Sequence, residues 1–194
     1  TVRNAPQRMT ETDKLILRDK SLDYRVLNLA SNTFNENETS YYHKSIGGYS
    51  AAKLRRYQEM IDAYIANEKN KVWNSVAEAG GDMTKVNGDS IFPVLNMLNT
   101  KYFIMPLQAG QTVPVQNLYA YGNAWFVDKV NYVNNANEEI AGVGKYNLRH
   151  EAVADAKFKE QLGQSVPQDD TSIVRLTQYK PNNLVYEVNS NKGG

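Results

Sequence analysis

From residue 54 onward the apolar side chains Leu54, Tyr57, Ile61, Tyr64 and Ile65 return every three or four positions, and Arg55, Glu59 and Asp62 fall between them. That spacing sets one apolar stripe against a core and predicts a helix opening at Ser50, whose hydroxyl is a candidate N-cap. A further helix is expected over 68–79, with Val72, Trp73 and Val76 apolar, a break from the preceding helix near Asn67, and Gly80-Gly81 as its stop. Asp89 or Ser90 is placed to cap a short helix with Pro93 in its first turn.

Elsewhere the period shortens. YRVLNL over 24–29 reads as a buried strand, KYFIM before Pro106 as a central strand, and AWFVDKVNYV over 124–133 as a long alternating strand. Residues 171–178 and 184–189 alternate around KPNN, which is a hairpin pattern. Four stretches carry weaker signals. Residues 13–19 fit a helix or an edge strand, 107–122 a loop with two extended Val-containing pieces, 134–144 one or two helical turns, and 149–162 a helix or a short strand at AVAD. Helices in the middle and strands towards the end give an α+β class: a mixed or antiparallel sheet, a central helical segment and a C-terminal β-hairpin. A single domain over 1–194 is expected, with 171–194 the start of a β-rich region truncated at its C-terminus.

Composition narrows the chemistry more than it defines it. The 194 residues can bury roughly 70% of the surface of the unfolded chain, enough for a real core. Lys plus Arg number 22 against 21 for Asp plus Glu, a net charge of +1 that argues against a nucleic-acid partner held by overall charge. Electrostatic function must therefore be local. Cysteine is absent, which removes disulfides, thiolate metal ligands and thiol nucleophiles. His43 and His150 are the two histidines and stand in no HExxH or facial-triad context, so no metal site and no cofactor are expected. No apolar run approaches the ~20 residues that span a bilayer. Both ends look cut, as if from a larger protein.

The most informative stretch is 39–65, TSYYHKSIGGYSAAKLRRYQEMIDAYI. Lys53, Arg55 and Arg56 sit where a helix begins, an end that favours acidic residues. An anion at the helix start, acidic partners elsewhere in the fold, or a facing anionic surface would each account for them. Gly47-Gly48 lets main-chain N–H groups approach a ligand, although the GxxxxGK[ST] spacing of a phosphate loop is missing. Tyr41, Tyr42, His43 and Lys44 complete a candidate ligand-binding set, with ring surface and polar tips suited to a sugar. The alternative stays open: a tight turn at Gly47-Gly48, basic residues on a solvated face paired with Glu59 or distant acids, packed tyrosines and a structural His43. No catalytic residue emerges, because Asp128, Glu138, Glu139, Asp169 and Asp170 have no spacing that marks a carboxylate pair. The Asn37-Glu38-Thr39 glycosylation triplet is too common to assign a role.

Three segments in order, NTFNENETSYYHKSIGGYSAAKLRRYQEMID, VLNMLNTKYFI and YAYGNAWFV, resemble the YfhO family of bacterial polytopic membrane proteins in the form typical of Bacteroidota. The likeness covers roughly 24–133, and the stretch from Thr171 resembles that family's extramembrane β-region. The resemblance implies an extracytoplasmic segment on the periplasmic face of the inner membrane, excised from a parent similar to GT-C-type glycosyltransferases. It further implies the parent's own transmembrane region as a partner, and a polyprenyl-phosphate sugar or an envelope glycan as a ligand. Lys44, Lys53, Arg55 and Arg56 would then meet the phosphate. No carboxylate here matches the catalytic acid of such enzymes, so the excised domain is expected to be inactive alone.

Overall fold

The computed structural model describes residues 8–162 and 171–190; Asp169, Asp170 and residues 191–194 of the expected β-rich region lie outside the described residues. Helix α1 (Glu11–Ile16) settles the ambiguous 13–19 stretch as helix. The reason is local: the Thr10 hydroxyl accepts from Asp13 N–H, and the Asp13 carboxylate accepts from Thr10 N–H, so two orphan donors are satisfied reciprocally. The chain then forms strand β1 (Arg25–Asn28).

The central helix starts later than Ser50. Ser50 Oγ accepts from Ala52 N–H within a turn, Leu54 is extended, and α2 (Arg55–Met60) begins with Tyr57 and Gln58 bonding back to the Leu54 carbonyl. Lys53 therefore precedes the helix. The break expected near Asn67 is also absent, since α2 runs through a π turn (Ile61–Ile65) into α3 (Ala66–Glu78). Ala66 N–H reaches back five residues to Ile61, so the wide turn joins the helices without interrupting their bonding. Gly80 and Gly81 end α3 with positive φ, and Gly81 N–H closes on the Val76 carbonyl.

Helix α4 (Gly88–Ile91) stops at Phe92, and α5 (Pro93–Met97) starts with proline in its first position. Phe92, not Asp89 or Ser90, is the residue at that boundary, with φ −141° and ψ 56°. A residue before proline is pushed out of helical geometry, which is why one expected helix becomes two. Strand β2 (Thr100–Pro106) follows and is central as expected, parallel to β1 on one side and antiparallel to β3 (Thr112–Gln116) on the other.

The long strand expected over 124–133 shortens to β4 (Lys129–Val133). Its partner β5 (Glu151–Asp155) runs parallel in register from Lys129↔Glu151 to Val133↔Asp155, so residues ahead of Lys129 have no neighbouring strand to pair with. Helix α6 (Ala136–Lys145), capped by Asn135, makes the crossover. Tyr64 hydroxyl donates to the Ile140 carbonyl at 2.6 Å and fixes α6 against the π turn. After β5 comes α7 (Lys159–Leu162), and then β6 (Ile173–Lys180) and β7 (Asn183–Asn189) form the antiparallel hairpin. The protein is α+β, with a mixed three-stranded sheet and a C-terminal hairpin.

Ile61, Ile65, Val72 and Val76 pack with Leu27, Phe92, Leu95 and Phe103 into the main core. One charged side chain lies in the same stripe: Glu68 is 5% exposed. Its carboxylate accepts from Val94 N–H at 3.1 Å and Leu95 N–H at 2.9 Å, capping α5 from a different helix. Burial pushes Glu68 up to about 7, against the pull of those two N–H bonds and of Lys71. The folded state thus holds the proton more tightly than the unfolded chain, whose Glu titrates near 4.5. Stability tied to Glu68 is full below that value and falls as pH rises towards 7, by up to about 3 kcal/mol. Glu68→Gln removes this titration, so thermal unfolding measured between pH 5 and 7 should show a flatter dependence in the variant; equal slopes would refute the assignment.

Candidate functional site

The 39–56 stretch is built from the inside outward. Thr39 is buried and accepts from the Asn28 side chain at 2.9 Å, and a single 3-10 turn (Thr39–Tyr41) brings the chain to His43. His43 is buried, with Nε2 2.9 Å from Asp13 Oδ1. Burial alone would raise Asp13, but the Thr10 hydroxyl, the Thr10 N–H and His43 outweigh it and hold the carboxyl below the usual range. Next, Val26 N–H bonds to Lys44 O and Ile46 N–H to Val26 O, so 44–46 lies alongside the outer edge of β1. Ile46 is fully buried, and its carbonyl accepts from the Tyr57 hydroxyl at 2.5 Å.

Gly47 and Gly48 serve this packing. Gly47 N–H goes to Ser45 Oγ at 3.0 Å and Gly48 N–H to the Thr33 carbonyl at 2.7 Å. A Cβ on Gly47 would lie 1.9 Å from the Thr33 carbonyl oxygen, so only glycine fits. Both N–H groups of the expected anion cradle thus have partners inside the chain, and six residues separate Gly48 from the start of α2 at Arg55.

Of the remaining predicted site residues, Tyr41, Lys44, Arg55 and Arg56 are exposed, and Tyr42 and Lys53 are half-buried. Tyr41 is 68% exposed, its ring 5.9 Å from that of Tyr42. Lys44 pairs with Asp23 and lies 3.4 Å from the Tyr179 ring centroid, which connects this edge to the hairpin. Burial lowers the Lys44 ammonium, yet the bonds to Asp23 and Tyr179 prevail and hold it above its ordinary value. Lys53 sits 5.9 Å over Phe34, and Lys69 reaches the same ring at 5.8 Å. Arg55 pairs with Glu59 at 2.8 Å, and Arg56 stands 4.0 Å from Glu139 on α6. One acid in the same helix and one on α6 thus answer the two arginines of the charge order that looked wrong for a helix start.

A second set of polar and aromatic residues lies apart from this edge. Tyr121, Trp125, Phe126, Asp128, Arg149 and His150 line an open cleft of about 400 Å³ with residues 172–174 of the hairpin. The parallel register of β4 and β5 brings Asp128 and His150 together from 22 residues apart, with His150 Nδ1 2.9 Å from Asp128 Oδ2. Spacing could not reveal that pair, although the aromatic density of YAYGNAWF was a visible signal. The buried Glu68 was equally visible, as the one charge in the stripe Ile61, Ile65, Glu68, Val72, Val76. Comparison with known protein families, with curated proteins and with solved structures gives no match.

Two substitutions check the structural part of this edge. Gly47→Ala should destabilise the fold by more than about 2 kcal/mol in urea unfolding, because the clash is with main chain that cannot move aside; a near-neutral result would mean that the Thr33 contact is wrong. Asp13 is held below its unfolded value of 3.8, so its contribution is present above that pH and is lost as pH falls through the lower folded-state value. Asp13→Asn should therefore cost about 1–3 kcal/mol at pH 7 and clearly less at pH 3, and an unchanged cost at both would count against the Asp13–His43 interaction.

Proposed function

We propose that this chain is an extramembrane domain of a membrane protein of glycosyltransferase type, and that its Tyr41–Arg56 edge assists binding of a lipid-phosphate sugar donor or a cell-envelope acceptor. The order of the three motif segments supports the family reading. The observation that carries the ligand role is the state of the arginines. The Arg55 and Arg56 side chains are 92% and 80% exposed, Arg55 beside Glu59 and Arg56 near Glu139 and Asp155. Exposed pairs of this kind contribute about 0–1 kcal/mol, so a phosphate, which takes an arginine fork in two parallel bonds, can displace the acid at small cost.

In this reading the domain faces the periplasm, its partner is the parent's transmembrane region, and the chemistry lies in the parent. No helix among the described residues is long and apolar enough to cross a membrane, which is compatible with spans supplied outside this chain. A second reading is a docking domain with no ligand of its own. It is favoured by the internal use of His43 and of the Gly47 and Gly48 N–H groups, which leaves the exposed Tyr41 as contact surface.

The two readings separate in the full-length parent. Replacing Lys53, Arg55 and Arg56 together by Ala should reduce sugar transfer at least tenfold while the melting temperature of the domain changes little. Unimpaired transfer by the folded triple variant, together with cross-links from Tyr41 to the parent's membrane loops, would decide for docking alone.

A further inference from the structure

The cleft beside the hairpin has the composition of a binding site. Tyr121 and Trp125 meet edge to face, their centroids 5.1 Å apart. The Trp125 indole N–H donates to the Leu148 carbonyl at 3.1 Å, which fixes that ring from behind, and the main chain at Tyr121 is held by its N–H donating to Asn96 O at 3.0 Å. Trp125 and Phe126 are half-buried and present flat apolar surface to the cleft. The Arg149 guanidinium lies 5.2 Å over the Tyr121 ring and, among the described residues, has no carboxylate within 4.0 Å.

Opposite chemistry sits alongside. Asp128 accepts from or pairs with His150 through one oxygen, and Asp128 N–H donates to the His150 carbonyl at 2.7 Å, so main chain as well as side chain fixes the pair. The second carboxylate oxygen is an acceptor for hydroxyls. Flat rings, a hydroxyl acceptor and a planar cation with no carboxylate within 4.0 Å among the described residues together match a ligand with an apolar ring face, several hydroxyls and one negative charge. The cleft is open and mixed in polarity, which disfavours an acyl chain or a purely apolar ligand, and its volume lies within the roughly 300–1,000 Å³ of small-ligand sites.

We propose that this cleft binds a short saccharide whose ring packs on Trp125 and Phe126 and whose anionic substituent, carboxylate or phosphate, is taken by Arg149. Asp128 and His150 hold the hydroxyls. The site shares no residue with the Tyr41–Arg56 edge and stands whether or not that edge binds a ligand.

The test is NMR titration of the 194-residue chain, following the two tryptophan indole N–H signals, with Trp73→Phe used to assign them. Glucuronic acid and a hexose phosphate are the acidic probes, and glucose and inorganic phosphate are the controls. Expected is a saturable shift of the Trp125 signal with at least one acidic sugar, and which one responds identifies the anion. Binding of glucose and of inorganic phosphate should be at least tenfold weaker. Arg149→Gln should weaken the acidic sugar at least tenfold with the fold intact by circular dichroism, whereas the Lys53, Arg55 and Arg56 triple-Ala variant should leave it unchanged. Equal affinity for inorganic phosphate, no saturable shift with either acidic sugar, or full affinity in folded Arg149→Gln would each overturn the proposal.

Discussion

The rest of the structure hangs on one buried carboxylate. Glu68 comes from the middle of a long helix and takes the two leading N–H groups of a five-residue helix that would otherwise have no cap. That bond sets where α5 begins, and α5 leads through a single turn into β2, the strand on which the mixed sheet is built. Burying a carboxylate is costly unless hydrogen bonds satisfy it, and here they come from main chain that cannot rotate away. Burial raises the proton affinity of Glu68 against the pull of those bonds, so the helix-to-sheet join is the part of the molecule that weakens as pH rises towards 7.

Downstream of that joint, a buried amide network passes the position of α5 to the cleft. Asn96 on α5 donates to the Gly88 carbonyl, Asn117 donates to Asn96 Oδ1 and to the Thr100 carbonyl, and Tyr121 N–H closes on the Asn96 carbonyl. Each of these polar groups is satisfied by a partner of fixed direction, so the aromatic segment after β3 has little freedom. The cleft is therefore placed by the core and not by its own loop. The edge at 39–56 depends on the core in a different way: its buried half braces β1, and its exposed half carries charge. Mutating the buried half perturbs folding, and mutating the exposed half can change binding without it.

Much of the fold was legible in the residues. The helical stripe from Tyr57 to Val76, the Gly80-Gly81 stop, the KYFIM strand and the KPNN hairpin are local signals, and each element appears where its pattern stands. Errors fell at boundaries that a distant partner decides. Residues 124–128 alternate well enough for a strand, but β5 begins opposite Lys129, and a strand without a neighbour does not form. Ser50 has a capping side chain, yet it closes only a turn to Ala52 and the helix waits for Leu54, after Gly48 and Tyr49 have closed against the Thr33 and Glu36 carbonyls. The site was legible only as residue types. Tyr41, Arg55 and Arg56 are exposed and Lys53 is half-buried, while His43 and the Gly47-Gly48 N–H groups are used inside, a division set by contacts with Asp13 and Thr33 that sequence distance hides.

The sequence by itself determined the class, the period of each strong element and the presence of an unusual basic, aromatic segment, because these follow from side chains within a few positions of each other. Tertiary structure alone decided that Glu68 caps a helix 26 residues away, that Asp128 meets His150, and that Arg56 at the start of α2 faces Glu139 on α6. Hydrogen bonds and ion pairs act over about 3–4 Å in space whatever the distance along the chain, so the chemistry of a side chain is settled only when the fold has chosen its neighbours.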